Sequence, residues 1–228
     1  MSKRILVRGA RQMVTLHGSS GPRRGAAMRD LAIIVDGALL IEDGLISQVG
    51  SSRRLENLRE ARSALEVNAA GKVVMPGFVD SHTHLIGGPP LVDDYPVARR
   101  GYAGAVLENV RAVRRMTKQR MTAEARQVVR QCIRHGTTTL EAKSGYGLDE
   151  ITERKMLRAL ASMDENPLPI VSTYLGAHVI PPEFAGRASD YADWICRHML
   201  PQIRRRRLAN FVDVVCDADA FPPALARR

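Results

Sequence analysis

Aromatic residues and cysteines are scarce in this 228-residue chain, and it contains no long apolar run. Aromatics are 4% of the residues, so the stacking platforms that single-stranded nucleic acids need are few. Cys132, Cys196 and Cys216 lie far apart without a Cys-x-x-Cys pair, which argues against a disulfide framework or a thiolate zinc site. No stretch reaches the ~18–20 apolar residues that would cross a bilayer, and the apolar stretch at the N-terminus is too short for a signal peptide. We therefore expect a soluble, cytoplasmic protein with no membrane partner.

Positive charge is abundant, with a net charge of +10, but it is dispersed. Arginines occur mainly as scattered pairs, which is typical of solvated helix faces. The run of four arginines at 204–207 is the best candidate for an anionic partner. Because this basic surface lacks interleaved aromatics, we expect no nucleic-acid partner.

The pattern of apolar residues divides the chain into two parts. Residues 1–70 contain Asp36-Gly37 and Asp43-Gly44 between short apolar runs, which predicts two hairpins in a small, sandwich-like β domain. Residues 71–228 alternate strands with helices, which indicates an α/β unit with a parallel sheet. The strands predicted there cover residues 73–80, 137–145, 169–178 and 210–217, half of the eight that close a (β/α)₈ barrel.

Two helices in the second part have recognisable start signals. Asp149 is placed to cap a helix whose apolar face is marked by residues at roughly helical spacing. Ser189 is placed to cap a second helix, which we expect to end before Pro201. The apolar positions of the first helix are Ile151, Leu157, Leu160 and Met163.

Two histidines follow the first strand of the α/β part, in the segment "VVMPGFVDSHTHL". Residues at i and i+2 of an extended segment share a face, so His82 and His84 can bind one cation, with Asp80 on the same face. Neutral imidazole nitrogens suit Zn²⁺ or Fe²⁺. The end of a barrel strand is also where active sites of such barrels gather. The alternative is a pair of structural histidines bonded to neighbouring loops.

The next two strands end in further polar residues. Glu141 and Lys143 share a face of the strand in "LEAKSGYGLD", and inside a sheet they must pair or meet a polar ligand. The glycine-rich loop after that strand predicts a mobile Tyr146 that can swing over a pocket. His178 ends the following strand, in "YLGAHVIPPEF", and should lie at the same rim as His84.

Taken together, these segments resemble the imidazolonepropionases, hydrolases of the metal-dependent amidohydrolase superfamily. The matching words are "PGFVDSHTHL", "GTTTLEAKSGYGLD", "TYLGAHVIPPEF", "GRASDYADWIC" and "VDVVCD", in this order. The resemblance implies a (β/α)₈ barrel beside a β-sandwich, with one zinc or iron ion. It implies hydrolysis of the ring amide of 4-imidazolone-5-propanoate to N-formimidoyl-glutamate. It makes His82 and His84 metal ligands, Tyr146 a substrate-binding residue, and His178 a contact of the substrate or its oxyanion.

The chain departs from the family pattern in two ways. Pro89 and Pro90 stand where the family has a substrate-holding arginine, for which Arg99 or Arg100 would have to substitute. The family's remaining metal ligands lie in a second barrel half that this sequence does not contain. We therefore expect a truncated or partial imidazolonepropionase.

Three alternatives follow from those departures. The chain could be an amidohydrolase that acts on another cyclic amide or amidine. It could instead be a non-catalytic half-barrel that forms a homodimer through its open sheet edges. Nucleic-acid binding through the basic surface is the third alternative.

Overall fold

A computed structural model describes residues 3–18, 21–87, 94–163 and 168–228 of the chain. It divides into two compact units, Met1–Pro76 and Gly77–Arg228. The division falls later than residue 70 because a short strand at Val73–Val74 is paired with the first strand of the chain. Over the described residues, no helix combines the length and apolarity that crossing a bilayer requires.

The first unit is built on one mixed β-sheet. Its strand order is β3-β2-β1-β4, and β5 also pairs with β1. Strands β1–β2 and β2–β3 are antiparallel, whereas β4 and β5 run parallel to β1. The described residues of this unit form this single sheet. Its elements are β1 (Arg4–Val14), β2 (Ile33–Glu42), β3 (Leu45–Ser51), α1 (Ser52–Glu56), β4 (Leu65–Asn68) and β5 (Val73–Val74).

One of the two predicted hairpins is present and the other is wrong. Asp43 and Gly44 connect β2 to β3, both with positive φ (50° and 85°), as a type I′ turn requires. Asp36 and Gly37 lie inside β2, opposite an irregularity in β1 next to Gly9. A positive φ at Asp36 therefore marks a bulged stretch of strand, which a sequence pattern does not distinguish from a turn.

The second unit carries a four-stranded parallel sheet in the order β6-β7-β8-β9. The helices bury one continuous apolar core against it, centred on side chains such as Leu140, Met156, Leu157 and Tyr174. Its strands are β6 (Phe78–Asp80), β7 (Thr137–Lys143), β8 (Ile170–Ala177) and β9 (Phe211–Val214). Its helices are α2 (Asp94–Arg114), α3 (Lys118–Arg134), α4 (Glu150–Ala161), α5 (Ala188–Trp194), α6 (Leu200–Arg205) and α7 (Pro223–Ala226).

The predicted buried strand at 73–80 is two separate strands. Val73–Val74 belongs to the first sheet and Phe78–Asp80 to the second, with Pro76, which has no N–H to donate, between them. Phe78 and Val79 are 53% and 67% exposed, so the strand is not buried on both faces. The reason is that, among the strands that the structure describes, β6 is hydrogen-bonded to β7 alone and is therefore an edge strand.

The helix predicted from Ser189 differs at both ends. Arg187 precedes α5, and no side chain caps it. The helical path also passes through Pro201, because a π-helical turn at Ile195–Met199 widens the helix just before the proline. At α4, by contrast, Asp149 accepts a hydrogen bond from the Thr152 N–H at 2.6 Å, which confirms the predicted cap.

Candidate active site

The two histidines of the His-x-His segment are positioned by the residue between them. Thr83 lies beside β7: its carbonyl accepts from the Lys143 N–H at 2.9 Å, and its hydroxyl donates to the Glu141 carbonyl. His82 and His84 therefore project together, with ring centroids 5.9 Å apart and an interplanar angle of 71°. His82 is exposed and His84 is half-buried.

His84 lies in a cluster of rings drawn from the three segments. It stacks on His178 with centroids 5.5 Å apart and an interplanar angle of 14°. The Tyr146 ring meets His84 and His178 edge-on, at 5.0 and 5.1 Å. Gly87 lets the Tyr146 ring approach this closely, since a Cβ there would lie 2.6 Å from the ring. The structure thus brings together the four residues to which the resemblance gave a site role, namely His82, His84, Tyr146 and His178.

Tyr146 is held in place, contrary to the predicted mobile loop. Its side chain is buried, with 6% exposed, and it is hydrogen-bonded to the buried Asn109. Burial raises the pKa of the Tyr146 phenol, so it stays protonated. The loop is fixed because a buried carboxylate on α4, Glu153, accepts hydrogen bonds from its backbone.

The hydrogen bonds of His178 define its tautomer. Nδ1 lies 2.9 Å from the Gly145 carbonyl oxygen, which only accepts, so Nδ1 carries the proton. Burial lowers the pKa of this imidazole, which leaves Nε2 unprotonated. Nε2 accepts from the Tyr102 hydroxyl at 2.8 Å. In this state His178 offers a lone pair, whereas an oxyanion contact needs an N–H.

Lys143 forms a nearly buried ion pair with two carboxylates. Its Nζ lies 2.9 Å from Glu141 Oε1 and 2.8 Å from Asp213 Oδ2. Burial opposes the charge on Lys143, but the two carboxylates outweigh it and raise the Lys143 pKa. Burial likewise tends to raise the pKa of Asp213, but its hydrogen bond with Lys143 lowers it. The pairing that the sequence required for Glu141 and Lys143 is confirmed.

The inner face of the sheet carries a cavity of about 350 Å³. Polar groups line part of it, including the whole ion-pair cluster, and apolar side chains of β6, β8 and β9 line the rest. Its polar lining residues are Ser81, Thr139, Glu141, Lys143, Thr173 and Asp213.

Asp80 does not join the histidines. Its Oδ1 accepts a hydrogen bond from the His82 backbone N–H at 3.4 Å. The pKa of the Cys132 thiol is raised, first by burial and second by the negative charge of Asp80. Over the described part of the chain, no three His, Cys, Asp or Glu side chains gather to hold a metal ion.

The donor set of His82 and His84 nonetheless fits part of a metal site. Nδ1 of His84 is buried and has no hydrogen-bond partner, which is costly for a polar nitrogen unless something binds there. Burial, followed by the nearby His178 and His82, lowers the His84 pKa to about 3. The ring is therefore neutral at physiological pH, the form that coordinates zinc or iron.

Four residues of the site were not predicted: Tyr102, Asn109, Glu153 and Asp213. The sequence does contain a signal that Glu153 is buried, because it lies four residues before Leu157 and seven before Leu160, on the apolar face of α4. Ile151, which the spacing placed on that face, is 79% exposed. The sequence contains no such signal for Tyr102, Asn109 and Asp213, because their hydrogen-bond partners are distant in sequence.

The comparisons with known proteins agree with this arrangement. A family model described as "Amidohydrolase family" matches residues 65–165. The imidazolonepropionases of Parabacteroides distasonis and Solibacter usitatus are 39% and 41% identical to the chain, over 96% and 95% of its length. The chain covers 55% and 54% of those two proteins, so it spans about half the length of the curated relatives it matches.

Two solved structures share the fold. A triazine hydrolase and the zinc complex of an atrazine chlorohydrolase, both from Arthrobacter aurescens, superpose with TM-scores of 0.62 and 0.59 at 17% identity. The matches cover 98% and 97% of this chain and 48% of each structure. Residues 65–165 thus match the amidohydrolase family on a fold shared with solved amidohydrolase-like structures. More particularly, the chain is similar to the imidazolonepropionases along almost its whole length.

Proposed function

We propose that this chain is part of an imidazolonepropionase that hydrolyses the ring C–N amide bond of 4-imidazolone-5-propanoate to N-formimidoyl-glutamate. The observation that carries the proposal is the meeting of His82 and His84 with Tyr146 and His178 in one ring cluster. The chain spans about half of its relatives, so the remainder of such a protein would complete the (β/α)₈ barrel, its sandwich domain and its metal site.

In the proposed site, His82 and His84 would hold one divalent or trivalent metal ion, either zinc or iron. When bound, such a cation supplies an acidified water and polarises a carbonyl group. The unpartnered Nδ1 of His84 and the neutral state of its ring support this assignment. The zinc complex of the atrazine chlorohydrolase shows that the fold accommodates such an ion in another protein.

The other residues bind and orient the substrate. His178 presents a lone pair at Nε2 and therefore accepts a hydrogen bond from a ring N–H of the substrate, displacing the Tyr102 hydroxyl. To donate to an oxyanion instead, Nε2 would first have to carry a proton. The rigid, protonated Tyr146 closes one side of the site and excludes water from the ring stack.

A different cyclic amide or amidine is the second candidate substrate. It is favoured by the stretch "GGPPLVDDY" at 87–95, which offers no arginine to a propanoate carboxylate. Residues 88–93 and the side chains of Arg99 and Arg100 lie outside the described residues. Comparing turnover of 4-imidazolone-5-propanoate with that of uncharged cyclic ureides decides between the two substrates.

The metal is tested by replacing His84 with alanine in the complete protein. We expect the His84→Ala variant to bind zinc or iron at least about ten-fold more weakly, because it loses a ligand. Metal content per chain is measured by elemental analysis, and hydrolysis by loss of the imidazolone absorbance. The matched control is His135→Ala, since His135 is exposed and bonded only to the backbone of its own helix. Unchanged metal content in His84→Ala would refute the assignment.

A further inference from the structure

Glu153 is a buried carboxylate aimed at the loop that carries Tyr146. It lies in the first turn of α4 and is fully buried. Its Oε1 accepts from the N–H groups of Gly147 at 2.7 Å and Leu148 at 2.9 Å. The N–H of Gly145 lies 3.1 Å from both carboxylate oxygens. One side chain therefore satisfies three backbone donors of the short loop between β7 and α4.

The loop needs such a partner to keep its conformation. Gly145 has φ of +103° and Leu148 has φ of +56°, which is unfavourable for a leucine. A Cβ at Gly147 would lie 2.6 Å from the Glu153 backbone nitrogen, so the loop is pressed against the start of the helix. Without the carboxylate, three buried N–H groups would lack acceptors, and the loop would rearrange to find others.

Gly145 links this carboxylate to the site. Its N–H is bound by Glu153, while its carbonyl accepts from Nδ1 of His178. The same residue therefore receives one hydrogen bond from the ring and gives one to the carboxylate. A shift of Gly145 would remove the acceptor that keeps the proton on Nδ1, and the ring could then carry it on Nε2.

We propose that Glu153 is a positioning residue of the candidate active site, acting through Gly145 to hold His178 in the Nδ1–H tautomer. Tyr146, between Gly145 and Gly147, is held against His84 and His178 by the same contacts. The consequence for the substrate rests on the proposed function, because the tautomer leaves Nε2 free to accept a substrate N–H. The tautomer itself does not depend on that function.

The hydrogen-bond partners of Glu153 are consistent with this role. Burial is the largest effect and raises the pKa of the Glu153 carboxyl group, and hydrogen bonds from Ser144, Leu148, Gly147 and Gly145 offset part of that rise. Its position in the first turn of α4 also favours a negative charge. An ionised carboxylate offers enough lone pairs for all of these donors, whereas a glutamine would present an amide –NH₂ in place of one oxygen.

The test is the tautomer of His178 in the chain with Glu153→Gln, measured without metal or substrate. Long-range ¹H–¹⁵N NMR correlations of histidine-labelled protein distinguish Nδ1–H from Nε2–H rings, and a His178→Gln variant assigns the signal. Glu150→Gln is the matched control, because it makes the same kind of change in the same helix turn, where Glu150 bonds Arg154 and His198 instead. We expect the Nε2–H fraction of His178 to rise at least three-fold in Glu153→Gln and to stay at the wild-type value in the control.

A merely structural role would lower the melting temperature of Glu153→Gln and leave the His178 tautomer as in wild type, and that result would overturn the proposal. If Glu153→Gln does not fold, Glu153→Asp is measured instead, because aspartate keeps the charge but places it further from the loop. A raised Nε2–H fraction of His178 would then support the proposal, and an unchanged tautomer would overturn it. In the complete enzyme we also expect Glu153→Gln to raise the KM for the imidazolone. Absence of turnover in wild type would refute the proposed function, while the NMR result still decides the role of Glu153.

Discussion

At the scale of residues, the ion pairs of the buried Lys143 with Glu141 and Asp213 make stability depend on pH. The pKa of Asp213 is lowered, so its contribution to stability is present above the ordinary aspartate pKa of about 3.9 and is lost as the pH falls below it. The pKa of Lys143 is raised, so its contribution is present below about 10.4 and is lost as the pH rises through its higher folded value.

Replacing Lys143 with methionine should therefore destabilise the protein most at neutral pH. Removing one partner of a buried ion pair leaves the other charges unpaired, and because Asp213 is 42% exposed we expect about 2 kcal/mol, below the full cost. Urea unfolding from pH 3 to 11 should also show that the free energy of unfolding of the variant depends less on pH than that of wild type, both below the aspartate pKa and above the lysine pKa. Lys118→Met, at an exposed lysine, serves as the control. Equal stability of the two variants at pH 7 would contradict the prediction.

Single residues also show how far the pattern of the chain can be interpreted. The pairing of Glu141 with Lys143 follows from the two-residue period of a strand and the cost of buried charge. The acceptor role of Nε2 in His178 does not, because it depends on a carbonyl at Gly145 and a hydroxyl at Tyr102, 33 and 76 residues away.

At the scale of elements, the two helix starts provide a direct test of capping. Asp149 caps α4 and also pairs with Arg114 at 2.9 Å, whereas no side chain caps α5. Asp149→Ala should lower the free energy of unfolding by about 1–2 kcal/mol, since it leaves the N–H of Thr152 without its acceptor.

The matched variant is Ser189→Ala, at the position that the sequence pattern favoured as a cap. Its hydroxyl contacts the exposed Arg228, so we expect a change within about 0.5 kcal/mol. Chemical denaturation of both variants is the measurement. A larger loss for Ser189→Ala than for Asp149→Ala would show that the helix starts are assigned incorrectly.

At the scale of the whole molecule, the second unit leaves both edges of its parallel sheet uncovered over the residues that the structure describes. Phe78 and Val79 on β6, and Phe211 and Val212 on β9, are each more than half exposed. Unpaired strand edges with apolar side chains favour association. We propose that the 228-residue chain by itself forms homodimers or larger assemblies through these edges.

The prediction is that Val212→Lys reduces this association, because it places a charge at an edge strand. Size-exclusion chromatography over a range of protein concentrations should show a shift towards the monomer. Ile151→Lys, on the exposed side of α4, is the matched control and should leave the elution profile unchanged. A wild-type chain that elutes as a monomer at all concentrations would exclude the proposed assembly.

Local spacing by itself determined the alternation of strands and helices, the Asp149 cap, the Asp43-Gly44 turn and the identity of the ring-bearing segments. These follow from chemistry within a few residues of the chain, which the side-chain order specifies directly. Only the tertiary structure decided that β6 is an exposed edge, that Asp80 forms no metal-binding group with the histidines, and that Gly145 and Tyr102 are the hydrogen-bond partners of His178. Those outcomes depend on contacts between residues brought together by the parallel sheet, and the energy of such contacts is not encoded in any one segment.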